Sequence, residues 1–355
     1  MSGRVGSRSR ATQLAGLRLG VDDTPTCRHD AGVNRSRLVI FADQRIYIGP
    51  FLARAFIAAA DARGDVEVVA VCDSAPTPFG PGAAAQALAA RIARRAFDAA
   101  HPIVRRPSFA RLGAFLRQRG IPHLVPPARD VNAEAFVHRE LPGLRADFAL
   151  SLICLQVFRA PLLAAFQRAI NYHPGVLPAY RGLNPTAWSL YRGDALTGFS
   201  YHLMTERIDQ GPVVVSGAVP VASGASVAEL EWAKTRLAAA CADRVLDALL
   251  RDERGVPQSG PAAYYGRADL RAVTTVGDPS TLSWDELLLR IRAFGHIRVR
   301  IAGASVDVTR LRRQDVRARR PELAFVTADG ISAEVDRIGY LPPGFDHLLR
   351  TPKNG

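Results

Sequence analysis

Short apolar segments separated by helical ones constrain the fold of this chain more than any other feature. Residues 37–42 (RLVIFA), 66–72 (VEVVAVC), 147–153 (DFALSLI) and 169–172 each have the pattern of a buried strand. Between the first two, an apolar, alanine-rich segment opens at Pro50 and predicts a helix to residue 62. A strand, a helix and a second strand in this order predict parallel strands joined by a right-handed crossover.

The same alternation continues along the chain. Helices are predicted at 83–99, at 108–119 with Ser108 as N-cap, at 161–168, and at 226–251 with a capping box formed by Ser226 and Glu229. Strands are predicted at 198–204 and 212–219, on either side of the turn ERIDQG. The pattern predicts an α/β fold with an open, mostly parallel, Rossmann-like sheet. Ligands of such a sheet bind beyond the carboxyl ends of its strands.

Composition divides the chain into three parts. Residues 1–36 are rich in arginine, lack hydrophobic periodicity and predict a disordered basic tail, or a start codon placed too far upstream, in preference to a nucleic-acid arm. Residues 1–20 also resemble a transit peptide, but they lack an amphipathic pattern. Residues 37–254 form the predicted main domain, and the glycine- and proline-rich stretch 255–261 marks its end. Residues 262–350, with a helix at 283–294 and three or four short strands within 296–340, predict a small α+β or partly open barrel-like domain.

A formal net charge of +13 raises the possibility of a nucleic-acid partner. The excess is almost entirely arginine, since Lys234 and Lys353 are the only lysines, and such a bias often follows genome composition. The region from Arg290 to Arg320 is nevertheless a candidate phosphate-binding surface, for example for tRNA. The alternative, which we favour, is a solvated face of an arginine-rich protein.

Cysteine usage and hydropathy predict a cytoplasmic protein without a metal site or a membrane span. The cysteines, at positions 27, 72, 154 and 241, form no CxxC pair. The longest apolar stretch, 146–158, contains Asp147 and Gln156 and is shorter than the roughly 20 residues that a membrane helix needs.

Three polar residues are candidates for catalysis. Asn171 and His173 share one face of a strand and lead into the loop HPGVLPAYRG, and Asp209 follows His173 by 36 residues in a turn after another strand. An amide can stabilise an oxyanion, an imidazole can move a proton, and a carboxylate can orient the imidazole. Acyl transfer to an amine needs this set. The alternative from the residues alone is structural, with an Asx-turn at Asn171 and a shaped turn at Asp209.

The run INYHPGVLPAYRGLNPTAWSLYRGDALTGFSYHLMTERIDQGPVV (residues 170–214) resembles the signature block of the folate-dependent formyltransferases. The shared positions are Asn-x-His, Leu177-Pro178, Tyr180-Arg181-Gly182, Thr197-Gly198, His202 and Asp209-x-Gly211. The resemblance implies an open α/β sheet, no metal, and transfer of the formyl group of 10-formyltetrahydrofolate to an amine. Residues 37–254 would be the formyltransferase catalytic domain.

The resemblance also implies individual roles. Asn171 would bind the formyl oxygen as it becomes an oxyanion, and His173 would assist proton transfer from the amine. Asp209 would position His173 and a water molecule. The segment Leu155, Gln156 and Val157 would hold the pterin ring through backbone groups, and Ile208 would line the other side of that site.

Two departures from the family pattern affect the interpretation. The family has serine at the position of Gly175, so this chain lacks the hydroxyl that makes a cofactor or substrate contact in the family. The segment LLLRIRAFG (287–295) is similar to the start of the second domain of methionyl-tRNA formyltransferase, but the Pro-Trp segment expected after it is missing.

The leading hypothesis is therefore an N-formyltransferase acting on a small-molecule amine, namely an amino acid, a hydroxylated amine, an amino sugar or a carrier-bound intermediate. The alternatives are methionyl-tRNA formyltransferase, a hydrolase that releases formate from 10-formyltetrahydrofolate, and a non-catalytic folate-binding protein.

Overall fold

The structure is a computed structural model that describes residues 35–43, 46–74, 112–301, 303–314 and 323–340. The predicted helix at 83–99, the N-cap Ser108 and all but the last two residues of the predicted basic tail lie outside these ranges.

A seven-stranded sheet forms the centre of the main part of the chain, in the order β3-β2-β1-β4-β5-β7-β8. The first five strands are parallel, and β7 and β8 are antiparallel to their neighbours. Its strands are β1 (Ser36–Ala42), β2 (Val66–Asp73), β3 (His123–Leu124), β4 (Phe148–Leu152), β5 (Arg168–His173), β7 (Leu196–Leu203) and β8 (Val213–Pro220). The predicted α/β fold with an open, mostly parallel sheet is confirmed.

Helices cover the sheet. They are α1 (Ile48–Arg63), α2 (Leu112–Gln118), α3 (Leu141–Leu144), α4 (Ala160–Leu163), α5 (Pro185–Tyr191), α6 (Val227–Ala240) and α7 (Ala242–Leu250). A 3-10 turn spans Pro127–Arg129 and a π-helical turn spans Phe136–Glu140. The predicted capping box at the start of α6 is present, with the Ser226 side chain accepting from the Glu229 N–H and the Glu229 carboxylate accepting from the Ser226 N–H.

Two predicted helices differ from the structure. The helix predicted at 226–251 breaks at Cys241 into α6 and α7, and the break lets α7 turn an apolar side that includes Val245 and Leu246 onto the core. The helix predicted at 161–168 stops at Leu163, because the following residues form tight turns that place Phe166 in the core.

Both faces of the sheet are buried, as a parallel sheet between helices requires. Along β1, Leu38 and Ile40 point into one apolar cluster, whereas Val39 and Phe41 point into the other. The ring of Phe41 is fully buried and meets the rings of Phe136, Phe158 and Phe166 edge-on, with centroids 4.8 to 6.4 Å away.

The C-terminal part contains a second sheet, in the order β10-β11-β12-β14-β13. The elements of this part are α8 (Arg267–Thr274), β10 (Thr275–Gly277), a 3-10 turn (Pro279–Thr281), α9 (Trp284–Phe294), β11 (Ile297–Ile301), β12 (Ala304–Arg313), β13 (Ala324–Val326) and β14 (Ser332–Tyr340). A helix at Trp284–Phe294 and four strands between residues 297 and 340 are present where the sequence predicts a small α+β or partly open barrel-like unit. Helix α9 packs on this sheet through Trp284 and Leu287. The domain limits at 254 and 262 stay predictions.

A two-strand pair connects these parts of the chain. In it, β6 (Arg181–Gly182) runs parallel to β9 (Tyr264–Tyr265). Within the described ranges, no helix has the length and apolar character needed to cross a bilayer.

Replacing Phe41 with alanine should lower the free energy of unfolding by about 3 to 5 kcal/mol, because the cavity forms where four aromatic rings meet. Urea unfolding followed by circular dichroism measures this loss. Leu196→Ala is the control, since this leucine is 58% exposed and its replacement should change the stability by about 0.5 kcal/mol at most. Equal losses in the two variants would contradict the assignment of Phe41 to the core.

Candidate active site

The pairing of β5 with β7 brings the Asn-x-His motif next to a second histidine. In this antiparallel pair Asn171 lies directly opposite His202, and His173 lies opposite Ser200. The side-chain Nδ2 of Asn171 is 3.2 Å from Nε2 of His202. Asn171 and His173 are thus close together at the carboxyl end of β5, the edge of the sheet where sequence reasoning placed a ligand site.

The turn between β7 and β8 adds Asp209 to this group. Its Oδ2 lies 3.6 Å from Nδ1 of His173, and its Oδ1 lies 3.5 Å from Nε2 of His202. The same Oδ2 accepts a hydrogen bond of 2.8 Å from the backbone N–H of Gly182. The backbone of Asp209 is left-handed, with φ 54°, and its side chain is 11% exposed. The structure therefore brings together all three residues proposed for catalysis.

Hydrogen bonds set the orientation of the Asn171 amide. Its Oδ1 accepts a bond of 2.7 Å from the hydroxyl of Ser151, a residue of the neighbouring strand β4. Nδ1 of His202 is 2.9 Å from the carbonyl of Leu203, so that nitrogen carries the proton and Nε2 accepts from Asn171 when the ring is neutral. One proton of the Asn171 amide is donated to His202, and the second proton takes no part in these hydrogen bonds.

The proton on His173 is assigned by the same reasoning. Its Nε2 is 2.5 Å from the carbonyl oxygen of Tyr180, which can only accept, so Nε2 carries a proton in every charge state of the ring. The nitrogen that can gain or lose a proton is therefore Nδ1, which faces Asp209.

Burial and charge act in opposite directions on this pair. Burial lowers the pKa of His173, and the nearby charge of Asp209 only partly offsets this effect. Burial by itself would raise the pKa of Asp209, but the neighbouring rings of His202 and His173 and the Gly182 N–H together bring that pKa below its ordinary value. A neutral imidazole beside a carboxylate is the state in which His173 can accept a proton.

A buried lysine supports the loop after His173. Nζ of Lys234, in α6, donates to the carbonyl of Pro174 at 2.6 Å and to the hydroxyl of Thr186, and it lies 3.2 Å from a carboxylate oxygen of Glu231. Its side chain is completely buried. Burial lowers the pKa of Lys234 and raises that of Glu231, and their mutual attraction opposes both shifts.

Gly175 has a steric reason to differ from the family pattern. A Cβ atom at this position would lie 2.6 Å from Cβ of Pro185 and 2.9 Å from Nε2 of His173. A serine, as in the family pattern, does not fit this conformation of the loop.

Three of the four residues predicted to bind folate have exposed side chains, and the fourth has a side chain that is hydrogen-bonded within the protein. Leu155, Val157 and Ile208 are 57%, 51% and 41% exposed, and they lie in the loops that follow β4 and β7. The side chain of Gln156 instead points inward, where its Nε2 donates to the carbonyls of Ser74 and Arg129 and its Oε1 accepts from the N–H of Val131. Their role in binding folate stays a prediction.

The arginines of the C-terminal part mostly have partners within the chain. Arg290 contacts Glu286, Arg298 contacts Asp307, Arg310 contacts Asp336, and Arg312 contacts Glu334. Arginines 317, 319 and 320 of the predicted basic region lie outside the described residues. Among the residues that are described, no cluster of three or more histidine, cysteine or carboxylate side chains has the arrangement of a metal site.

Comparison with known proteins identifies the family. The model of the family described as "Formyl transferase" matches residues 38–242, which is more than half of the chain. The chain belongs to the formyl transferase family, as the resemblance of residues 170–214 implies.

Among similar proteins of assigned activity are two kinds of formyltransferase. The GDP-perosamine N-formyltransferase of Brucella melitensis is 30% identical over 161 residues, which cover 44% of this chain and 59% of that protein. The methionyl-tRNA formyltransferase of Phenylobacterium zucineum is 33% identical over 156 residues, covering 43% of this chain and 48% of that protein. The chain thus spans about half to three fifths of the length of the curated relatives it matches.

Solved structures share the fold at low sequence identity. A sugar N-formyltransferase from a Shewanella species superposes with a TM-score of 0.55 at 18% identity, over 77% of this chain and 96% of that one. HypX from Aquifex aeolicus in complex with tetrahydrofolic acid has a TM-score of 0.54 at 15% identity, over 86% of this chain and 44% of that one.

Sequence reasoning assigned no place in the site to His202 or to the Gly182 N–H. His202 could have been found from sequence, because it is one of the positions shared with the family and lies seven residues before Asp209, near the end of a predicted strand. Nothing in the sequence indicates that the Gly182 N–H reaches the Asp209 carboxylate, because that contact depends on how the loop between β5 and α5 folds back.

Replacing Asp209 with asparagine should lower the pKa of His173 further, because it removes the negative charge that offsets the effect of burial. Nitrogen NMR of 15N-histidine-labelled protein follows the titration, and a His173→Asn sample assigns the resonance. Asp61→Asn, at an exposed carboxylate, is the control and should leave the titration unchanged. An unchanged or raised pKa in Asp209→Asn would contradict the contact.

Replacing Gly175 with alanine should reduce the free energy of unfolding by about 1 to 3 kcal/mol, because the added methyl group overlaps Pro185 and His173. Thermal and urea unfolding measure the loss. Gly113→Ala, in α2, is the matched control: there the new Cβ meets one side-chain atom at 3.6 Å, and alanine favours the helix. A Gly175→Ala protein as stable as the wild type would mean that the loop has room for a side chain.

Proposed function

We propose that this protein is an N-formyltransferase that moves the formyl group of 10-formyltetrahydrofolate to the amine of a small molecule. The single observation that carries the proposal is the convergence of Asn171, His173 and Asp209 at one site, within the region that matches the formyl transferase family. Asp209 lies next to His173, and His202 links Asp209 to Asn171. Each of the three supplies one of the functions that acyl transfer to an amine requires.

Asn171 stabilises negative charge on the formyl oxygen. Its Nδ2 has one proton directed to His202, and we assign the second to the oxygen as the amine attacks the formyl carbon. The Ser151 and His202 contacts hold the amide in one orientation, so the donor needs no reorganisation during the reaction. An oxyanion donor of this kind typically contributes about 3 to 4 kcal/mol in the transition state.

His173 accepts the proton that the attacking amine loses. The acceptor atom is Nδ1, because Nε2 donates to the Tyr180 carbonyl. Asp209 then stabilises the imidazolium, since its carboxylate is next to Nδ1 and its lowered pKa keeps it charged. The same proton is available for the nitrogen of the folate when the bond to the formyl carbon breaks.

The exposed apolar side chains of Leu155, Val157 and Ile208 are suited to the flat ring system of a folate. Leu155 and Val157 follow β4, which runs parallel to β5, so they lie at the edge of the sheet where β5 ends. Ile208 directly precedes Asp209, whose carboxylate lies 3.6 Å from His173. When bound there, the donor supplies the formyl carbon. One structural neighbour, HypX, is described in complex with tetrahydrofolic acid, which supports a folate-type donor.

A small-molecule acceptor agrees better with the C-terminal part than tRNA does. Binding that depends on phosphate contacts needs arginines whose charge is available, whereas four in this region are already next to carboxylates. An amino sugar is among the proposed acceptors, and a relative is named GDP-perosamine N-formyltransferase. Methionyl-tRNA formyltransferase is the second candidate, favoured by the relatives of that name.

The purified protein is incubated with 10-formyltetrahydrofolate and a pooled panel of amines, and mass spectrometry identifies the compound that gains a formyl group. The panel includes amino acids, hydroxylated amines, nucleotide-linked amino sugars and initiator methionyl-tRNA. Formylation of a small molecule supports the leading proposal. Formylation of the tRNA alone would replace it with the second candidate, and formate release without any amine would identify a hydrolase.

The variants His173→Ala and Asp209→Asn should each lose about 10²- to 10⁴-fold in turnover, because each removes part of the proton-transfer pair. Their circular dichroism should match the wild type. His138→Ala is the control, since His138 is exposed in the π-helical turn and lies apart from these contacts. Normal turnover in both active-site variants would refute the mechanism, and folate binding without transfer by the wild type would indicate a non-catalytic protein.

A further inference from the structure

The segment from Gly255 to Tyr265 folds back onto the candidate active site. Val256 and Val213 exchange two backbone hydrogen bonds of 2.7 and 2.8 Å, and Tyr264 and Tyr265 of β9 pair with Arg181 and Gly182 of β6. This segment lies beyond residue 242, where the family match ends, and beyond the domain limit predicted at 254. It nevertheless contacts residues 181–182, whose Gly182 N–H binds the Asp209 carboxylate, and Val213, which follows the turn that contains Asp209.

Gln258, within this segment, makes four hydrogen bonds with its side-chain amide. Its Nε2 donates to the backbone carbonyls of Asp209 and Gly211, each at 2.8 Å. Its Oε1 accepts from Nε and a terminal nitrogen of Arg181, at 3.0 and 2.7 Å. Both protons and both lone pairs of the amide are therefore used, and only one orientation of the amide satisfies these partners.

These bonds form a closed circuit of contacts that passes through Asp209. The Gly182 N–H donates to Oδ2 of Asp209, Gly182 follows Arg181 directly, Arg181 donates to Gln258, and Gln258 donates to the Asp209 carbonyl. Gly182 thus holds the side chain of Asp209, and Gln258 holds its main chain.

The turn needs this external support because its own geometry is demanding. Asp209 has a positive φ, which costs free energy for a residue with a side chain. A Cβ at Gly211 would lie 1.7 Å from the Leu203 carbonyl, so this turn packs tightly against the end of β7. Two donors aimed at the turn carbonyls offset that cost and fix the direction of the carboxylate.

We infer that Gln258 is a positioning residue that holds Asp209 in place beside His173. The inference rests on the proposed function only for its effect on turnover, because the coupling between Gln258, Asp209 and His173 can be measured without substrate. Gln258 lies outside residues 38–242, so a residue beyond the family match would help to position a catalytic group.

The test compares the His173 titration in four proteins by 15N NMR: wild type, Asp209→Asn, Gln258→Met and Gln210→Met. Methionine is neutral and close to glutamine in size, so it removes the hydrogen bonds without adding charge. Gln210 is the matched control, since it neighbours Asp209 in the same turn and its side chain is exposed. Gln258→Leu is a second variant, used in place of the methionine variant if circular dichroism shows misfolding.

In Gln258→Met the pKa of His173 should move from the wild-type value towards the Asp209→Asn value, whereas Gln210→Met should keep the wild-type value. A purely structural role would lower the melting temperature without moving the titration. An unchanged or raised pKa in Gln258→Met, or an equal shift in Gln210→Met, would overturn the inference.

Turnover provides a separate readout with 10-formyltetrahydrofolate and an amine that the wild type formylates. There kcat of Gln258→Met should fall by up to about 100-fold while both KM values stay within about twofold, because a displaced catalytic group affects the chemical step. If Asp209→Asn and Gln258→Met shift the titration together and the wild type formylates no amine, then the positioning role stands and the proposed function fails. If the wild type formylates an amine and Gln258→Met leaves both the His173 titration and kcat unchanged, the proposed function stands and the positioning role of Gln258 fails.

Discussion

The buried carboxylate of Asp209 is the feature on which the rest of the candidate site depends. A carboxylate that is 11% exposed needs partners, and it has them in the Gly182 N–H and the rings of His173 and His202. These contacts in turn fix the loop after β5, the antiparallel pairing of β5 with β7, and the turn before β8. The strand that reverses direction in an otherwise parallel sheet is thus the one that brings His202 opposite Asn171.

The sequence predicts the central part of the fold and the closeness of Asn171, His173 and Asp209, whose role in catalysis is a proposal. Continuous apolar runs such as RLVIFA are recognisable because a parallel strand is buried on both faces, and β1 shows that burial. Asn171 and His173 could be placed on one face because side chains alternate along a strand. Asp209 could be added because of its place in a family-like block.

The features that sequence did not predict depend on contacts between distant parts of the chain. The Gln258 amide donates hydrogen bonds to the backbone carbonyls of Asp209 and Gly211, almost 50 residues earlier in the chain. No periodic pattern in the sequence predicts contacts of this kind. The break between α6 and α7 at Cys241 has no proline or glycine to mark it, so a continuous helix was the natural prediction. The family resemblance implies that Gln156 binds folate through its backbone, and the structure adds that its side chain links the end of β2 at Ser74 with residues 129–131.

Lys234 has a consequence for the chemistry of the molecule as a whole. Besides Lys353, it is the only lysine of the sequence, and its side chain is fully buried against Pro174, Thr186 and Glu231. The described part of the chain therefore exposes no lysine amine to solvent. Reagents directed at lysine, such as activated esters used for cross-linking or surface coupling, have no lysine target there in the folded state, and unfolding would reveal one.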